Sequence, residues 1–136
     1  MQISPTLSSL IKPAASGYLP NGLKYIVQTD HSNSVLCLQL YVRIGSAWED
    51  ESEAGYSHFL EHLAFKRTHD FGYNQIMNHV NSLGGNINAY TDFDCTCYYL
   101  MLPSEFLREG LKVFAELAAR PAFDSADVAT EKDIII

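Results

Sequence analysis

The sequence predicts an α+β fold in two layers, a mainly antiparallel mixed sheet with helices packed against one of its faces. Three observations point there. Runs rich in β-branched and aromatic residues come early, stretches of helical period follow, and a second pair of strand-like runs stands between helices.

Residues 1–16, rich in Ser, Pro and Ala, read as an N-terminal arm on the surface, and residues 17–136 as one domain. Within 19–29, Pro20-Asn21-Gly22 is a turn signal between short strands. The run 35–44, VLCLQLYVRI, reads as a long, largely buried strand. An acidic loop follows, in which Trp48 is expected to anchor by packing and the cluster over 49–53 to be solvated. Helices are expected over 55–66 and 71–83, the second stopped by Gly84-Gly85. Residues 86–91 and 95–102 then form a strand pair around Asp92-Phe93-Asp94, with Tyr98 and Tyr99 alternating across it. Ser104 can cap a helix whose apolar stripe is Leu107, Leu111, Phe114 and Ala118, ending at Arg120-Pro121. Asp124 or Ser125 caps a last helix running into Ile134-Ile135-Ile136. With no C-terminal stop signal there, the chain reads as the front part of a longer protein, truncated inside a helix.

Composition excludes several classes. A length of 136 residues is one domain's worth, and 47% hydrophobic against 18% charged residues is not the make-up of a disordered tail. A net charge of -7 argues against nucleic acid as a partner. No apolar run approaches the ~20 residues of a membrane span, and no secretory leader is visible, so neither a membrane partner nor export is expected and a cytoplasmic location is the default. Cys37, Cys95 and Cys97 make an odd count without a CxxC pair, which favours free thiols and a reducing compartment.

The chemistry concentrates in His58-Phe59-Leu60-Glu61-His62. On a helix these three polar side chains fall within about 100° of one another, with Tyr56, Phe59, Leu60 and Leu63 expected to cover the opposite, core-facing side. Two His at i and i+4 can put nitrogens on one Zn²⁺ at roughly 2.0–2.1 Å. A carboxylate one residue before the second His stands beside the ion, able to take a proton from its water without ligating it. His31, His69 and His79 lie outside this cluster and read as ordinary surface or satisfied histidines.

HxxEH is the signature of the inverted zincins, and the sequence resembles this family of zinc peptidases, which includes pitrilysin, insulysin and the mitochondrial processing peptidase. The likeness extends through GSAWEDESEAGYSHFLEHLAFK, LGGNINAYT and TEKDIII, in the family's order. It implies the processing-peptidase-like metallohydrolase fold, with zinc as cofactor, His58 and His62 as metal ligands and Glu61 as general base. It further implies that Glu131 is the first of two glutamates seven residues apart, assisting from behind the ligands. The second, a zinc ligand, would fall two residues beyond Ile136, so weak or absent zinc binding and essentially no activity are expected of this chain alone. The substrate would be an extended peptide or unfolded protein paired with a strand edge matching Asn86, Asn88, Ala89 and Tyr90. A second, similar domain or subunit would close the active site.

Two other readings stand beside this one. S-ribosylhomocysteine lyase shares an HxxEH helix, but its third ligand is a downstream cysteine, whereas here Cys95 and Cys97 sit in the expected hairpin and 83–91 matches the peptidases. A non-catalytic peptide-binding or scaffold subunit is the other, and such relatives typically degrade the HxxEH residues that this chain keeps.

Overall fold

A computed structural model of the chain describes residues 13–135. Its described residues divide into two compact units, the first ending at Ser34 and the second beginning at Val35. In the first, β1 (Ala14–Tyr18) and β2 (Lys24–Gln28) pair antiparallel, from Ala14 opposite Gln28 to Tyr18 opposite Lys24. The Pro20-Asn21-Gly22 turn forms as expected: the Gly22 amide donates to the Leu19 carbonyl at 2.9 Å and the Leu23 amide to Asn21 Oδ1 at 3.1 Å. The arm expected over 1–16 needs correction at its end, because residues 14–16 belong to β1, and 1–12 lie outside the described residues.

The second unit carries a three-stranded antiparallel sheet of order β3-β5-β4, from β3 (Val35–Val42), β4 (Asn86–Thr91) and β5 (Thr96–Pro103). Its helices are α1 (Tyr56–Lys66), α2 (Gln75–Ser82), α3 (Leu107–Ala119) and α4 (Ser125–Ile135). The α+β, two-layer expectation is met, with every described strand pairing antiparallel. Residues paired across strands share a face, so Leu38, Leu100 and Ile87 line up, as do Leu40, Tyr98 and Ala89. This face meets Ala64 of α1, Ile76 and Val80 of α2, and Val113 and Leu117 of α3 in one core.

Four local expectations are corrected. The strand over 35–44 is not largely buried: β3 lies at the sheet edge, its even residues half-buried or exposed and its odd residues exposed on the face without helices. The helix expected over 71–83 starts only at Gln75. In the preceding loop the Thr68 amide donates to Phe71 O, the Phe71 amide to Thr68 Oγ1 and the Gly72 amide to Gln75 Oε1, local bonds that compete with the helical ladder. On α3 the buried positions are Gly110, Val113, Glu116 and Leu117, while Leu107, Leu111 and Ala118 are exposed. Gly110 sets that rotation, since a Cβ there would lie only 3.0, 3.1 and 3.2 Å from Leu38, Leu100 and Leu102. Ser104 opens a short 3-10 turn (Ser104–Phe106) and makes no side-chain cap to α3. Asp124, by contrast, takes the Ala126 amide at 2.9 Å and caps α4 as expected.

Among the described residues no helix is long and apolar enough to cross a membrane, and all three cysteines are free thiols.

Candidate metal centre

α1 begins where Gly55 adopts φ 95°, a left-handed conformation that glycine enters without steric cost. Its first amides are capped from the preceding loop: Glu49 Oε2 accepts from the Gly55 amide at 2.7 Å and Oε1 from the Ser57 amide at 2.6 Å. The bonds from Ser57, then that from Gly55, hold the Glu49 carboxyl below its ordinary pKa against the opposing effect of burial. Glu49 is therefore a helix cap rather than part of a merely solvated acidic cluster, whereas Trp48, expected to anchor the loop, is 70% exposed. The loop is tied instead to the β4–β5 turn, through the Ser46 and Ala47 amides on the Asp92 and Phe93 carbonyls.

One helical turn apart, His58 and His62 bring their Nε2 atoms to 3.2 Å, with the rings edge-on at 79°. At a bond length of roughly 2.0–2.1 Å, nitrogens so spaced subtend about 100° at a shared cation, close to the tetrahedral angle. The donor set therefore fits one zinc-like ion. On its other edge the His62 ring points Nδ1 at Glu131 Oε2, 3.2 Å away. A carboxylate there accepts the Nδ1–H, which selects the tautomer whose Nε2 lone pair is available to a metal. Glu131 Oε1 meets Lys66 Nζ at 2.5 Å, so one buried carboxylate from α4 binds two side chains of α1. Burial pushes the Glu131 carboxyl up, but Lys66 and His62 outweigh it and hold it below its ordinary value. Arg67, the extended residue just past the end of α1, adds a second tie to α4 through Nε on Asp127 Oδ2 at 2.6 Å. Among the described residues no third His, Cys, Asp or Glu completes a metal-holding cluster with the two imidazoles.

Glu61 departs from the sequence expectation. The buried residues of α1 are Ser57, Glu61, Leu63 and Ala64, whereas Tyr56 and Leu60, expected in the core, are 54% and 48% exposed. The carboxylate lies on the sheet-facing flank, where Thr91 Oγ1 donates to Oε2 at 2.6 Å. Burial, with a smaller contribution from the Glu61 charge, pushes the neighbouring Tyr98 phenol up to about 12. Glu61 nonetheless borders an open cavity of about 220 Å³ that His62, Phe65, Lys66, Asn74, Met77, Ile87 and Asn88 also line.

The strand residues divide. Asn86, Asn88 and Tyr90 belong to the sheet face without helices, where the Tyr90 and Tyr99 rings approach to 6.5 Å, and Ala89 belongs to the helix-covered face. β4 is the outer strand of the sheet on this side. The Ala89 amide is taken by Asn88 Oδ1 at 2.9 Å. His69 and His79 stand outside the centre, His69 pairing with Asp70 at 3.1 Å and the His79 ring lying tilted at 44° to Phe71; His31 belongs to the first unit. Sequence reasoning gave no role to Lys66, Thr91 or the cavity-lining Phe65 and Met77. Thr91 stood within LGGNINAYT, but only its pairing with Thr96 at the hairpin end aims it at α1.

Most of the chain is similar to known proteins. An "uncharacterized zinc protease" of Rickettsia bellii is 34% identical over 118 residues, 87% of this chain and 29% of that protein. The mitochondrial-processing peptidase subunit beta of Saccharomyces cerevisiae is 30% identical over 131 residues, 96% of this chain and 28% of that protein. Among solved structures, a protease from Helicobacter pylori superposes with a TM-score of 0.88 at 27% identity, over 90% of this chain and 30% of that one. The chain thus spans less than a third of the length of these relatives. The family model described as insulinase (peptidase family M16) matches residues 24–136, and the chain belongs to that family.

Proposed function

We propose that this chain is the metal-binding part of a zinc-dependent metallopeptidase that hydrolyses peptide bonds in extended peptides. The observation that carries the reading is the pair of His58 and His62 Nε2 atoms 3.2 Å apart, with His62 braced from behind by Glu131. His58 and His62 would hold the zinc. Held there, zinc would supply Lewis-acid polarisation of the scissile carbonyl and would lower the pKa of the attacking water. Glu61 accepts the proton of the attacking water and passes it to the leaving amine, so it ends the cycle as it began. Glu131 keeps the His62 ring in the ligating tautomer and orientation.

Substrate recognition falls to the outer edge of β4, where an extended peptide can add as a further strand through main-chain hydrogen bonds. The small Ala89 permits close approach, while Asn86, Asn88 and Tyr90 border the added strand. The Ala89 amide must exchange Asn88 Oδ1 for a substrate carbonyl when such a strand pairs. A catalytic zinc takes three protein ligands and keeps an open position. Among the described residues two imidazoles meet and no third ligand joins them, so we infer that the remaining ligand, like a second similar domain closing over the substrate, lies outside these residues. The test is peptide cleavage by the intact protein carrying Glu61→Gln. Loss of cleavage with zinc retained supports the base role, and unchanged cleavage overturns it.

A further inference from the structure

We infer that Thr91 is a positioning residue for Glu61, its hydroxyl fixing one carboxylate oxygen so that the other works on the attacking water. The inference deepens the peptidase reading and rests on it. Thr91 Oγ1 donates to Glu61 Oε2 at 2.6 Å, the length of a charge-assisted O–H···O⁻ bond. A hydroxyl has a single proton to give, and the surroundings decide where this one goes. Thr96, opposite Thr91 in the last pair of the β4–β5 ladder, spends its own proton on the Ile44 carbonyl at 3.0 Å. Its oxygen lies 3.4 Å from Thr91 Oγ1, too long to compete with the carboxylate.

Both ends of the contact are held by backbone. Thr91 closes β4, and the Asp92 amide donates to the Cys95 carbonyl at 2.9 Å just beyond it. Glu61 sits in the middle of α1, whose entry loop is bonded to that same turn through Ser46 and Ala47. A free glutamate side chain has three torsions to order. Here one hydrogen bond on Oε2 selects the rotamer, and Glu61 still borders the cavity beside His62. The proton taken up from water resides on Oε1 and leaves with the amine, while Thr91 keeps its own proton throughout.

The test compares Thr91→Val, which keeps the shape and removes the hydroxyl, with Thr91→Ser, which restores it, both in the intact protein. Thr91→Val is expected to lower kcat for a peptide substrate on the order of 10–100-fold with KM changed less than about twofold, as misplacement of a catalytic group does. Thr91→Ser is expected to recover most of that loss. Unchanged kcat in Thr91→Val, or a loss in Thr91→Ser as large as in Thr91→Val, overturns the inference. A second readout needs no activity: in metal-free protein, Thr91→Val should lower the unfolding midpoint when Glu61 is present and leave it nearly unchanged beside Glu61→Met. Equal shifts in both backgrounds overturn the contact itself. Absence of cleavage by the unsubstituted protein, with that coupling present, overturns the peptidase reading and the catalytic half of this inference with it.

Discussion

Replacing Glu131 probes stability and metal affinity at once. Its side chain is 2% exposed and carries two partners, Lys66 Nζ at 2.5 Å and His62 Nδ1 at 3.2 Å. Truncation in Glu131→Ala strands the Lys66 amine and leaves the His62 ring unbraced. Removing one member of a fully buried ion pair costs about 3–5 kcal/mol, and because Lys66 and His62 keep 20% and 38% exposure, water recovers part of that, leaving about 2–4 kcal/mol. Loss of the carboxylate behind a ligating histidine should weaken zinc binding by a further factor of about 10–100. In Glu131→Gln one carbonyl oxygen can still accept the Nδ1–H, while the amide group has no acceptor left for Lys66. That variant should therefore lose stability but retain more of the zinc affinity than Glu131→Ala. Chemical denaturation of the metal-free intact protein reads the first effect, and competition against a chromogenic chelator reads the second. A stability change within about 0.5 kcal/mol, the scatter of ordinary surface substitutions, together with zinc affinity within about twofold, would show that Glu131 neither anchors Lys66 nor braces the His62 ring.

Acid stability should depend on Glu116, a buried carboxylate that accepts the Asp70 amide at 3.0 Å and Arg120 Nη1 at 2.9 Å. Burial pushes this carboxyl up, but the Asp70 amide, the Thr68 hydroxyl and Arg120 hold it below its ordinary value of 4.5. Its contribution is therefore complete above that value and is lost as pH falls through the lower folded one. Glu116→Gln should flatten the acid limb of a stability-against-pH curve, and an unchanged limb contradicts this. Gly55→Ala should destabilise the start of α1 by about 1–2 kcal/mol, since φ is 95° and nothing within 4 Å would obstruct the methyl, so the cost is backbone strain alone. An unfolding midpoint equal to or above that of the parent protein would show that reduced freedom of the unfolded chain outweighs the strain.

What could be read from the residues was local and periodic. The i, i+4 spacing of His58 and His62 forces their rings onto one flank of a helix, and the Gly84-Gly85 stop and the Asp92-Phe93-Asp94 turn bound the strand between them. What could not be read was the rotation of helices against the sheet. The apolar residues of α3 suggested a stripe through Leu107 and Leu111, yet packing is decided by Gly110, where the absence of a side chain lets Leu38, Leu100 and Leu102 come close. The same blindness applies to Glu61. Periodicity puts it beside His58 and His62, but only the approach of Thr91 and Tyr98 from the hairpin turns its carboxylate into a buried group. Glu49 and Lys66 were silent for a related reason, as their partners lie six to eight and sixty-five positions away, and no short-range pattern encodes such contacts.

We propose that the α1 imidazoles hold a metal while Glu61 moves the proton, and one pair of measurements separates these roles. Zinc content and peptide turnover are determined for the intact protein and for Glu61→Gln. The expected result is equal zinc in both and turnover reduced on the order of 10²–10⁴-fold in the variant, the range general acid–base catalysis supplies. Equal turnover would rule out Glu61 as the base, and so would a variant that lost its zinc along with its activity, since Glu61 would then be a ligand.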